Sequence, residues 1–286
     1  MSNTSTLKAS MFRIIHLPIV RILIGILICG TAMLVTNSLL RLVLGSEGDI
    51  VRILRWVLSS VALFFTYYYF FRYYEKREIS ELNPDYFWSE TFLGFSLGLG
   101  LIILVILLLY LFEYYTILSM GKLSVLTVSF MFFVTAAALE EVIFRGIIYR
   151  IIETTWGTRS ALIVSAVLFG MAHVFNDHVN AISIISAASG GVFLGLLYSL
   201  KGRLWLPIAF HAGWNWTQGS LGSVVSGNGE LPLFLDVRIA GPELITGGAF
   251  GMENSIITVV FILIASGIAA ALLMKKQRDL SAGEHR

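Results

Sequence analysis

The sequence predicts an all-α, polytopic membrane protein, a helix bundle with about eight transmembrane helices and both termini in the cytoplasm. Three observations lead to this prediction. Of the 286 residues, 57% are hydrophobic and 13% are charged, whereas a soluble domain carries about 25% charged residues. The mean hydropathy is +0.82. Apolar runs long enough to cross a bilayer recur along the whole chain.

Eight apolar segments are candidate transmembrane helices. The fifth and seventh are short and carry polar residues, which a helix tolerates where it faces the bundle interior or a water-filled cavity. The first follows Lys8 and Arg13, exceeds the apolar part of a signal peptide and has no small-x-small cleavage site after it, so we expect it to be retained. The segments are 17–44, 53–74, 91–112, 122–144, 159–176, 180–200, 204–222 and 255–274.

The basic residues predict the orientation, because cytoplasmic loops carry an excess of Lys and Arg. With the N-terminus inside, 5 of the 20 basic residues fall on the outer side and the other 15 on the inner side. This alternation requires the fifth and seventh segments to be real, which supports them. The outer residues are Arg41, Arg52, Arg55, Lys122 and Arg238.

We expect residues 1–286 to form a single integral-membrane domain with one long extracytoplasmic loop, 223–254. The loop is rich in Gly and Pro, which favours turns. Its stretches 231–235 and 249–250 are too apolar for a free linker. The loop is therefore expected to dock on the outer face or to dip into the bundle.

Charge and cysteine content exclude several classes of protein. The net charge is +2 and no basic patch interleaved with aromatic residues occurs, so we expect no nucleic-acid partner. Cys29 is the only cysteine, which excludes an intrachain disulfide and a cysteine-based metal site.

Two adjacent carboxylates in an apolar run are the most informative feature of the chain. An ionised carboxylate at membrane depth is costly and needs a reason. Arg145 follows Glu141 by four residues, a favourable order for an ion pair on one helix face. Glu140 lies about 100° around the helix from Glu141, so one arginine does not easily serve both. Glu140 is left free, and a poorly solvated carboxylate can act as a general base.

Two later segments supply histidines. His173 ends the sequence Phe169-Gly-Met-Ala-His, and His211 shares a helix face with Asn215. An imidazole and a carboxamide on one face can donate hydrogen bonds to a developing oxyanion. The alternatives are a packing histidine at 173 and an interhelical polar clasp at 211 and 215, and both stay open at this point.

Together these residues have the parts for peptide hydrolysis, namely a base for water and donors for the oxyanion. No Gly-x-Ser-x-Gly turn of a serine hydrolase occurs. Zinc held by Glu140, His173 and His211, with a position open for water, is an alternative. The His-Glu-x-x-His arrangement of most zinc peptidases is missing, which weighs against zinc but leaves it open at this point.

At these residues the chain resembles the CPBP (CAAX protease and bacteriocin-processing, or Abi) family of intramembrane endopeptidases. The motifs Glu-Glu-x-x-x-Arg, Phe-x-x-x-His and His-x-x-x-Asn occur in this order within about 120–220. The matching residues are Glu140, Glu141, Arg145, Phe169, His173, His211 and Asn215.

The resemblance implies a metal-independent glutamate mechanism in an eight-helix bundle, with a site reached from the cytoplasmic side. Glu140 would activate water, and His173 would assist it. The oxyanion hole would consist of His211 and Asn215. Glu141 and Arg145 would support the first motif. The implied partners are the lipid bilayer and a peptide or lipidated protein. The implied location is the plasma membrane of a bacterium. We expect the substrate's apolar or lipidated tail to enter from the inner leaflet.

Two other functions remain in competition with an endopeptidase. The same fold could serve as a non-catalytic membrane partner or immunity protein. A proton-coupled transporter could use Glu and His to relay protons. Transporters often show repeated halves, and the absence of an internal repeat ranks that function last.

Overall fold

The computed structural model describes residues 15–229 and 233–284. Some residues used in the sequence analysis lie outside the described residues, namely Lys8, Arg13, Leu231, Pro232 and Arg286. The described part is predominantly helical, as the sequence predicts.

Within the described residues, eight α-helices have 16 residues or more, and each lies at a predicted segment. Numbered α1 to α8 in chain order, they span Pro18–Leu44, Asp49–Tyr74, Phe87–Leu111, Ser124–Glu141, Arg150–Ala172, Ala181–Lys201, Trp205–Ser220 and Ile256–Glu284. Short 3-10 turns at Ser80–Leu82 and Pro84–Tyr86 precede α3.

Six helical stretches in this part of the chain are long and apolar enough to cross a membrane. The number is six because Ser124–Ala172, 49 residues with a kink at Gly157, counts as one stretch, and because α7 has only 16 residues. The chain is thus an integral membrane protein, and the count of eight spans stays a prediction. The six stretches are Pro18–Leu44, Asp49–Tyr74, Ser80–Leu111, Ser124–Ala172, Ala181–Lys201 and Ile256–Gly283.

The fourth predicted segment does not end at residue 144, and this boundary was wrong. Beyond α4 the chain continues through a π-helical segment, Val142–Tyr149, into α5. No proline interrupts this stretch, and the helical geometry breaks only at Gly157, which has φ 81° and ψ 168°. Glycine adopts a positive φ without steric cost. Arg145, placed by the sequence on the inner side, is consequently inside the bundle and has 0% side-chain exposure.

Helix α7 lies at the centre of the packing, against α3, α4 and α6. Glycines allow α3 and α7 to approach very closely. A Cβ atom on Gly98 would lie 2.2 Å from the backbone oxygen of Phe210, and one on Gly213 would lie 2.7 Å from that of Phe95. This contact fixes the position of the helix that carries His211.

A two-stranded antiparallel sheet joins two connections that the sequence left as loops. Strand β1 is Tyr115–Met120 and strand β2 is Leu235–Ile239, with Tyr115 opposite Ile239 and Met120 opposite Leu235. The sheet ties the connection after α3 to the long loop.

The long loop packs into the bundle, which confirms the docking prediction. It contains a helical turn, Glu243–Thr246, and 3-10 turns at Gly248–Phe250 and Met252–Asn254. Phe250 and Met252 are buried. The Ser186 hydroxyl on α6 donates a hydrogen bond to the backbone oxygen of Glu253.

Candidate active site

The end of α4 and the π-helical segment carry the paired acids and their arginine. Nη1 of Arg145 donates to Oε1 of Glu141 at 2.8 Å, and Nη2 donates to the backbone oxygen of Gly191 on α6 at 2.9 Å. The side chains of Glu141 and Arg145 are both 0% exposed. Single π-helical turns are frequent at functional sites. The predicted ion pair is therefore present, and it lies in the interior of the protein.

His211 on α7 is held by the same carboxylate. Its Nδ1 lies 3.0 Å from Oε1 of Glu141. A carboxylate accepts hydrogen bonds, so Nδ1 carries the proton of this bond. The other ring nitrogen, Nε2, lies 3.9 Å from Oε2 of Glu140. Glu141 thus orients His211 so that Nε2 is directed toward the second acid.

His173 lies at the C-terminal end of α5 and is oriented by Phe169. Its Nδ1 is 2.8 Å from the backbone oxygen of Phe169. The Phe169 ring centre is 5.0 Å from the His173 ring and 6.0 Å from the His211 ring. The guanidinium of Arg145 lies 4.7 Å from the centre of the same ring. Phe169 therefore contacts both histidines and the buried ion pair.

One cavity of about 400 Å³ brings together the four residues predicted to be catalytic. Its lining includes Glu140, His173, His211 and Asn215. The side chain of Glu140 is 35% exposed, in contrast to its neighbour Glu141. The predicted separation of the two acids on the helix is thus reproduced, with one paired inside the protein and one facing the cavity.

Part of this cavity wall comes from the long loop, through Val225, Ser226 and Asn228. The predicted orientation puts this loop on the outer side of the membrane. This prediction puts the wall on the side opposite the one from which the family resemblance implies access.

A second cavity, of about 80 Å³, adjoins His173, His211 and Asn215 and contains an acid that the sequence analysis missed. Glu253 lines this cavity. Burial raises the pKa of the Glu253 carboxyl, while hydrogen bonds from Ser226 and the charge of His173 act in the opposite direction. An acid within an apolar, glycine-rich stretch of loop was the signal that could have identified it.

The alternative zinc site would need three suitable ligands close together. Among residues 15–229 and 233–284, no three His, Cys, Asp or Glu side chains form a group that could hold a metal ion. This includes the alternative zinc set of Glu140, His173 and His211. Independence from metal stays a prediction, which a chelator experiment tests.

Residues 122–217 match the family model described as type II CAAX prenyl endopeptidase Rce1-like. The matched segment contains every motif residue on which the predicted resemblance rests. That resemblance is confirmed over this segment, and the matched family is a family of proteases. No curated protein and no solved structure matches the chain.

Proposed function

We propose that the protein is an intramembrane endopeptidase of CAAX-protease type, which hydrolyses a peptide bond near the membrane by a glutamate mechanism. The observation that carries this proposal is the convergence of Glu140, His173, His211 and Asn215 on one cavity. The family match over residues 122–217 supports it. We place the protein in the plasma membrane of a bacterium, acting on an apolar or lipidated peptide.

Glu140 is the base in this proposal. It is the acid that faces the cavity and that forms no ion pair with an arginine or lysine in the described chain. Its carboxylate takes a proton from water while the water oxygen bonds to the carbonyl carbon of the substrate. His173, on the same cavity, assists proton movement to the leaving amine as the carbon–nitrogen bond breaks. General acid–base catalysis of this kind contributes about 10²–10⁴-fold.

His211 and Asn215 stabilise the oxyanion. The Asn215 carboxamide donates through its nitrogen, and His211 donates through Nε2 when its ring is protonated. Oε1 of Glu141, 3.0 Å from Nδ1, accepts a hydrogen bond from Nδ1 and so holds the ring in place. Loss of one oxyanion donor typically lowers kcat by about 10²–10³-fold.

The test is cleavage of a fluorogenic lipidated peptide by purified wild type, Glu140→Gln and His173→Ala, each with and without a strong chelator. Glu78→Gln, at an exposed acid far along the chain from the motifs, is the matched control. We expect hydrolysis by wild type and control, loss in the two site variants, and no effect of chelator. Chelator sensitivity would indicate a metal enzyme. Absence of hydrolysis by folded wild type would leave two explanations, a wrong substrate or a non-catalytic relative.

A further inference from the structure

The cavity of about 80 Å³ beside the candidate site has no role in the reaction proposed above. Residues of α5, α6, α7 and α8 and of the long loop line it. His173, His211 and Asn215 line both this cavity and the cavity of about 400 Å³ that contains Glu140. A group bound in the smaller cavity therefore lies next to a peptide bond held at the site.

The wall of the smaller cavity is largely apolar, with contributions from Leu194, Phe210, Trp214, Phe250 and Ile262. Its hydroxyl groups are engaged in hydrogen bonds with the long loop. Ser186 donates to the backbone oxygen of Glu253, and Ser226 donates to Oε1 of Glu253 at 2.7 Å. Thr258 donates to the backbone oxygen of Met252 at 2.9 Å. No lysine or arginine of residues 15–229 and 233–284 lines the cavity, which thus suits an apolar group.

The volume limits which apolar group the cavity can hold. A cavity of about 150 Å³ binds benzene, so one of about 80 Å³ is too small for a phenyl ring. It corresponds to roughly three water molecules at about 30 Å³ each, which is close to the size of a branched aliphatic side chain such as that of valine. A prenyl or acyl chain is several times larger. The cavity therefore fits a side chain of the substrate and not its lipid tail.

Gly190 on α6 keeps this cavity open. It lines the cavity, and a Cβ atom added to it would have no atom of a neighbouring segment within 4 Å. The adjacent Gly191 differs, because a Cβ atom there would lie 3.0 Å from Cα of Ala166 on α5. Glycine inside a helix costs about 0.8–1.0 kcal/mol relative to alanine. Close packing of α5 and α6 accounts for Gly191, whereas at Gly190 the missing side chain leaves space in the cavity.

We propose that this cavity is a specificity pocket, which binds a branched aliphatic side chain of a substrate residue flanking the scissile bond, and that Gly190 sets its size. This inference rests on the proposed function. His211 and Asn215 hold the carbonyl oxygen of the scissile bond in that function, and both line the pocket. One methylene group more or less in an apolar pocket changes kcat/KM by about 10–200-fold. The lipid tail of the substrate is bound outside this pocket.

The test measures kcat/KM for fluorogenic peptides in which each residue flanking the scissile bond is changed in turn to alanine, valine, phenylalanine, glutamine or lysine. We expect wild type to prefer valine at one of these positions by about tenfold over each of the others. Gly190→Val fills the pocket, and the ratio of kcat/KM for the valine peptide to that for the alanine peptide should fall about tenfold. Leu194→Ala enlarges the pocket and should raise the ratio for phenylalanine over valine.

The matched control is Gly267→Val, at an exposed glycine of α8 whose added Cβ atom would also have nothing within 4 Å. It is expected to keep the wild-type ratios. Loss of packing alone would lower the amount of folded protein without changing these ratios.

Equal ratios in wild type and Gly190→Val would overturn the inference while the proposed function stands. A wild-type preference for phenylalanine, glutamine or lysine over valine at both flanking positions would also overturn it. If Gly190→Val does not fold, Gly190→Ala is expected to shift the valine-to-alanine ratio in the same direction by a smaller amount, and an unchanged ratio would overturn the inference. Failure of folded wild type to cleave any peptide of the panel would count against the proposed function and the inference together.

Discussion

Oε1 of Glu141 lies 2.8 Å from Nη1 of Arg145 and 3.0 Å from Nδ1 of His211. The same buried oxygen thus neutralises the arginine and orients the histidine. The sequence predicted an ion pair of Glu141 with Arg145 and, separately, a catalytic role for His211. In the structure the two features are joined, because the carboxylate of the ion pair also holds His211.

The first prediction concerns the stability provided by this carboxylate. Glu141→Gln leaves the charge of Arg145 buried without a counter-charge, and removal of one partner of a buried ion pair costs about 3–5 kcal/mol. Glu140→Gln is the matched control, because its side chain is 35% exposed, and we expect it to cost less than about 1 kcal/mol. Unfolding of the purified variants in detergent measures both. Equal destabilisation would contradict the different environments of the two acids.

The second prediction concerns the contact between α3 and α7. A Cβ on Gly98 would lie 2.2 Å from the backbone oxygen of Phe210 and 2.7 Å from the backbone nitrogen of Trp214. Backbone atoms cannot rotate away, so Gly98→Ala forces the helices apart at a cost of about 3 kcal/mol or more, the upper end for overpacking. Gly100→Ala, with nothing within 4 Å, is expected to be as stable as wild type. Melting temperatures and hydrolysis rates of both variants test this, and comparable behaviour would contradict the close approach.

The sequence could predict the helices and the motif residues because both leave strong local signals. Long apolar runs mark helices in a membrane protein wherever they occur. An acid or a histidine inside such a run is conspicuous, because placing it at membrane depth costs free energy and therefore needs a reason. For this reason the sequence could predict the helices and the common site of Glu140, His173, His211 and Asn215.

The features that were missed depend on contacts between distant parts of the chain. The bond between Glu141 and His211 joins residues 70 positions apart, and no periodicity indicates it. Strand β2 does alternate, with Leu235, Val237 and Ile239 separated by charged residues, but this pattern is short and its partner lies more than 110 residues earlier. The end of the fourth segment was misplaced because an arginine suggested a boundary, whereas a carboxylate neutralises it inside the bundle.

The third prediction is a pH dependence of stability at the loop after α2. Glu75 accepts hydrogen bonds from Arg21 and Arg150 at 2.7 Å and from Arg77 at 3.0 Å. Burial alone would raise the pKa of Glu75, but the guanidinium groups of Arg150 and Arg21 outweigh it and lower the pKa. A carboxyl with a lowered pKa in the folded state stabilises the protein above its unfolded pKa of about 4.3 and loses this effect as the pH falls through the folded value.

We therefore expect the melting temperature of wild type to fall as the pH is lowered below about 4.5, and Glu75→Gln to lack this part of the decline. At pH 7 the variant should be less stable than wild type. The matched control is Glu78→Gln, at an exposed acid in the same connection, and it should follow the wild-type curve. An acid-induced decline as steep in Glu75→Gln as in wild type would show that this ion-pair cluster does not set the pH dependence.

The fourth prediction concerns the orientation of the protein in the membrane. The orientation determines on which side of the membrane the long loop forms part of the cavity wall. Cys29 is buried, so single cysteines can be introduced in a Cys29→Ala background. Asn228 is exposed on the long loop and lines the cavity of about 400 Å³, whereas Glu78 is exposed in the connection after α2. The distribution of Lys and Arg predicts that these two residues lie on opposite sides of the membrane. A membrane-impermeant thiol reagent applied to intact cells is expected to label Asn228→Cys at once and Glu78→Cys only after permeabilisation. The reverse pattern would invert the predicted topology and would put the loop wall on the cytoplasmic side, where the family resemblance implies that substrates gain access.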